Sequence, residues 1–77
     1  MDQIKIGKFI RTMRRKKDLT QRELAAAIGV RPGTVSKWEC GRGMPDLEVI
    51  LPLCDKLGIS FRELIHGESK DNRELTE

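Results

Sequence analysis

Residues 19–41, L-T-Q-R-E-L-A-A-A-I-G-V-R-P-G-T-V-S-K-W-E-C-G, hold two helix starts and a glycine stop in so short a span that only two short helices and a tight turn fit. Thr20 and Glu23 stand in the S/T-x-x-E relation of a capping box, where the hydroxyl takes the N–H three residues on and the carboxylate reaches back. Leu19 and Leu24 occupy the two positions of a hydrophobic staple across that cap, so a helix starts at Gln21. Gly29 can take the positive φ that ends it, and Ala25 is small where two crossing helices must come close. Val35 and Trp38, at i, i+3 spacing, give the second helix a narrow apolar face to lay on the first.

The second helix starts without a conventional cap, because Arg31 stands where Ser or Thr would be expected. Pro32 compensates in part by presetting φ for the first helical position and pushing Arg31 into the extended region. Gly33 costs this helix about 1 kcal/mol relative to Ala. The pattern predicts a helix from Pro32 to about Cys40, held by tertiary packing rather than by propensity. Its solvent face carries a few short or cationic side chains and no apolar stripe. That is the outline of a helix-turn-helix, a device that puts one helix into a DNA groove.

The flanking segments read as three more helices. Ile6, Phe9, Ile10 and Met13 repeat at i, i+3, i+4, i+7, predicting a helix from about Gln3 or Ile4 to Lys17. Its remaining face and last turn hold Lys8, Arg11, Arg14, Arg15, Lys16 and Lys17; these complement the helix dipole and, Arg14 set apart, attract phosphate. Arg42, Gly43, Met44 and Pro45 form a loop. Asp46 caps a fourth helix with Leu47, Ile50, Leu51, Cys54 and Leu57 on its inner side, ending at Gly58. Pro52 removes one backbone bond to the Glu48 carbonyl and should bend it. Ser60 with Glu63 repeats the capping box and Ile59 with Leu64 the staple, so a fifth helix runs from Phe61 to about His66. Residues 1–67 are expected to form one domain, and 68–77 a polar tail that is flexible or begins a linker.

Charge divides the chain. Residues 1–43 carry eleven Lys and Arg against four Asp and Glu, a net of +7; residues 44–77 carry four against eight, a net of −4. A basic half that contains the paired short helices suits a polyanion, although a solvated charged surface looks the same in composition. No apolar run approaches the roughly 18–20 residues that cross a bilayer, so a soluble, cytoplasmic protein is expected. Cys40 and Cys54 with the single His66 make neither a zinc spacing nor a disulfide framework. Cys54 is expected in the core and Cys40 near the surface as a reduced thiol. No cofactor, metal or catalytic group is expected, since the chain has no Tyr, one His and no glycine-rich phosphate loop.

Leu19, Thr20, Gln21, Glu23, Leu24, Ala25, Gly29, Val30, Thr34, Val35, Ser36, Trp38, Glu39 and Gly41, followed by Arg42, Pro45, Leu57, Gly58, Ile59 and Ser60, resemble the motif of the phage repressor and Cro-type (Xre) helix-turn-helix family. The likeness covers roughly residues 4–67. It implies an all-α, compact five-helix, lambda-repressor-like domain with the helix-turn-helix in helices 2 and 3, acting as a sequence-specific regulator of transcription, a repressor or controller. It also implies a largely buried pair between Arg14 and Glu39 that ties helix 1 to the end of helix 3.

By the same resemblance Arg31, Pro32, Gly33, Ser36 and Lys37 face the bases. Pro32 and Gly33 depart from the family's better-equipped readers because neither has a side-chain donor or acceptor. Direct readout therefore falls mainly to Arg31 and Lys37, each suited to guanine O6 and N7. Gln21, Arg22, Thr34, Arg42, Lys16 and Lys17 are assigned to phosphate. One module makes few contacts, so a homodimer on a palindromic operator is expected, with Ile59, Phe61 and Ile65 as interface candidates. The alternative is a protein-interaction module of the same fold, antitoxin-like or partner-regulating, with weak or no specific DNA binding.

Overall fold

A computed structural model of the chain describes residues 1–70. Those residues hold five helices and no strand: α1 Gln3–Lys16, α2 Gln21–Ile28, α3 Pro32–Glu39, α4 Leu47–Leu57 and α5 Phe61–His66. The all-α, five-helix architecture expected from the sequence is the one observed. From residue 71 on, the expected polar tail lies outside the described residues.

Local chemistry sets the helix ends. The Asp2 carboxylate accepts from the N–H groups of Ile4 and Lys5 at 3.0 and 3.1 Å, which starts α1. Thr20 Oγ1 accepts from Glu23 N at 3.0 Å while Glu23 Oε1 accepts from Thr20 N at 2.8 Å, a complete capping box on α2. Ser60 and Glu63 repeat it on α5. Gly29 ends α2 at φ 79°, in the left-handed region that a side chain would resist. Asp18 takes the same region at φ 56° after α1; Asp tolerates it because its short side chain can bond locally.

The core runs between the helices as one cluster that includes Ile6, Ile10, Leu24, Val35, Trp38, Leu53, Leu57 and Leu64. Cys54 is buried in it and Cys40 is exposed. In α4 the inner face differs from expectation. Leu47 and Leu51 are 80% and 71% exposed, and Leu53 joins Ile50, Cys54 and Leu57 in the buried stripe. Residues 50, 53, 54 and 57 follow the i, i+3, i+4, i+7 pattern, which leaves Leu51 about a third of a turn off the stripe. Leu47 is the first residue of the helix and is likewise left exposed. The helix continues through Pro52. Ile59 is a second correction: it is 8% exposed and belongs to the core, because the staple with the fully buried Leu64 draws it inward.

Candidate nucleic-acid interface

Helix α3 packs on both α1 and α2. Val35 and Trp38 point inward at 0% and 4% exposure, while Arg31, Pro32, Gly33, Lys37 and Cys40 are exposed and Thr34 and Ser36 half-buried. Arg31 takes the extended N-cap conformation, φ −83° and ψ 149°, with no side-chain cap bond, so its guanidinium is not committed to the helix start. Space around Gly33 is open: a Cβ there would meet nothing within 4 Å.

The far end of α3 is pinned instead. Arg14 Nε donates to Glu39 Oε2 at 2.6 Å and Arg14 Nη2 to Glu39 Oε1 at 2.9 Å, a two-pronged pair between α1 and the last residue of α3. Arg14 Nη1 donates to the Leu19 carbonyl at 2.7 Å, and Gln21 Nε2 donates to Glu39 Oε1 at 3.0 Å. Three helices thus meet on two buried charges. The bonds to Glu39 hold the Arg14 guanidinium above its ordinary pKa; burial opposes this and attraction to the Glu39 charge adds to it.

This pinning decides the electrostatics of the exposed side. Glu39 is the single acid in α3, and it is turned inward and paired. The outer side of α3 therefore carries Arg31 and Lys37 with no carboxylate of its own. Arg22 on α2, Arg42 after α3 and Lys16 at the end of α1 are also exposed. Two of the expected phosphate residues have prior engagements. The Gln21 carboxamide nitrogen is on Glu39, which leaves its backbone N–H, in the first turn of α2, as the group available to an anion. Lys17 lies across the end of α4: a Cβ on Gly58 would be 3.2 Å from its Nζ, where a cation complements that helix dipole.

Sequence reasoning missed Gly7. A Cβ there would collide with the Trp38 carbonyl oxygen, so α1 and α3 cross with their backbones nearly touching. The available signal was a glycine inside an otherwise good helix, which marks close approach. Among the expected interface residues Phe61 is half exposed and Ile65 half-buried.

Comparison with known proteins gives the family and the fold. The helix-turn-helix family model matches residues 10–64. The crystal structure of the restriction-modification controller protein C.AhdI from Aeromonas hydrophila is similar at a TM-score of 0.75, with 36% identity over 82% of this chain and 96% of that one. Multiprotein-bridging factor 1 of Candida albicans is 34% identical over 65 residues, 84% of this chain and 43% of that protein. Antitoxin PezA of Streptococcus pneumoniae is 35% identical over 65 residues, 84% of this chain and 40% of that protein. The chain thus spans about two-fifths of the length of these two curated relatives.

Proposed function

The chain belongs to the helix-turn-helix family of DNA-binding transcription regulators, and from that membership we propose that it is a sequence-specific regulator, a repressor or controller, that seats α3 in the major groove of double-stranded DNA. The observation that carries this is the division of α3. Its last residue, Glu39, is locked to Arg14, and its outer side, from the Arg31 cap to Lys37, carries cations and no carboxylate. Arg31 and Lys37 read base edges, with Ser36 adaptable between donor and acceptor. Pro32 and Gly33 let the backbone approach closely but add no side-chain hydrogen bonds. Arg22, Arg42, Lys16 and the first-turn N–H groups of α2 hold phosphates, and Thr34 completes the set.

The working form is a two-fold dimer on half-sites about one DNA turn apart. Exposed Leu47, Leu51 and Phe61, with Ile65, supply apolar surface for pairing. Residues 1–67 act as the binding domain, in the cytoplasm, without catalysis. No described helix is long and apolar enough to cross a membrane. Gel-shift of genomic fragments tests the reading: retarded bands should appear at low salt and fade steeply as salt rises. No shift at any salt contradicts it.

A second reading is favoured by Pro32 and Gly33, which have no side-chain donor, and by the likeness to a protein named an antitoxin. There the same fold mainly grips a partner protein. Alanine at Arg31 and Lys37 separates the two, because partner binding would survive it.

A further inference from the structure

Helix α1 has a second face from which the DNA-binding reading takes Lys16 alone. Lys5, Lys8, Thr12 and Lys16 border a groove of about 240 Å³ with Phe9 and Met13 at its floor. Gly67, Glu68 and Ser69, which follow α5, form its opposite wall. Gly67 sits so close to Lys5 that a Cβ would lie 2.9 Å from the Lys5 side chain, and this close approach builds one end of the groove. Gly7 marks the side of α1 that meets α3. At about 100° per residue, Lys8, Thr12, Lys5 and Lys16 fall roughly 100–180° around the helix from it. The groove therefore opens away from α3.

We propose that this groove binds an acidic peptide segment of a partner protein, with a carboxylate on Lys8 and one apolar side chain on Phe9 and Met13. The structure already seats one carboxylate there: Glu68 Oε2 lies 3.5 Å from Lys5 Nζ. Lys8 has no ion-pair partner among the described residues. Lys5 to Thr12 spans about 10 Å at 1.5 Å per residue, which an extended peptide of about three residues covers at roughly 3.3 Å each. The apolar floor disfavours a phosphodiester backbone, which would gain nothing from Phe9 and Met13. DNA on α3 and a peptide on α1 can then be held together, which would give the regulator an input separate from its operator.

The test uses the full chain and a short fluorescein-labelled peptide alternating glutamate and leucine. Anisotropy should show saturable binding at low salt. Lys8→Glu and Thr12→Glu, both exposed substitutions that leave the core untouched, should each weaken it at least tenfold. Arg22→Glu, on α2 outside the groove, should weaken it less than twofold, and a glutamine-for-glutamate peptide should not bind. No saturable binding, an equal loss in Arg22→Glu, or full binding by the glutamine peptide overturns the proposal. So does a loss of duplex-DNA affinity in Lys8→Glu and Thr12→Glu as large as the loss of peptide affinity, since the groove would then be part of the nucleic-acid face.

Discussion

Arg14 and Glu39, on different helices and each under a tenth exposed, are joined by two parallel hydrogen bonds of 2.6 and 2.9 Å. Removing one partner leaves the other charge buried, which typically costs about 3–5 kcal/mol. Arg14→Met and Glu39→Leu should each be strongly destabilised in urea melts, and the double variant less than the sum of the two. Additive losses would show that the pair does not act as a unit.

Gly7→Ala should destabilise the fold by about 3 kcal/mol, at the upper end of overpacking costs, because the colliding atom is a backbone oxygen that cannot rotate aside. At an unconstrained helix position the same change would stabilise. Thermal unfolding gives the sign directly.

Gly33→Ala should have the opposite effect, since open space surrounds the site and alanine is the better helix former by about 0.5–1 kcal/mol. If the α3 backbone approaches DNA at this point, the stabilised variant will bind its site more weakly. Melting and DNA titration on one sample separate the two effects.

The Glu23 carboxyl is held below its ordinary pKa, first by the hydrogen bond from the Thr20 backbone and then by the one from the Thr20 hydroxyl, with a smaller contribution from Lys56. A depressed folded-state pKa gives stability that is present above the unfolded value, about 4.3, and lost as pH falls through the folded one. Melting temperatures of the native chain and Glu23→Gln should therefore differ at neutral pH and converge in acid. A constant gap would place the effect elsewhere.

The parts legible in the sequence are those decided within a few residues. Thr20 with Glu23, Ser60 with Glu63, and the glycine stops at 29 and 58 act through local bonds and dihedrals, so they could be read before any packing was known. The face of α4 could not: L-E-V-I-L-P-L-C-D-K-L is apolar nearly all round, and only the positions of α2 and α5 decide that Leu53 is covered and Leu51 is not. Gly7 and the engagement of Gln21 with Glu39 escaped for the same reason, since each is set by a residue at least eighteen positions away. The Arg14–Glu39 relation was expected from family resemblance alone; nothing in its spacing announces it.

The account rests on α3 reading bases through Arg31 and Lys37 while Arg42 holds phosphate. The most direct measurement is a salt series of affinities, on a duplex selected from a random pool and on a scrambled one, for the native chain and alanine variants. Alanine at Arg31 or Lys37 should cost about 1–3 kcal/mol on the selected duplex and little on the scrambled one. Arg42→Ala should weaken both alike and reduce the salt slope by about 0.9. Equal losses on both duplexes for all three variants, or no selectable site, would contradict the claim that this helix reads sequence.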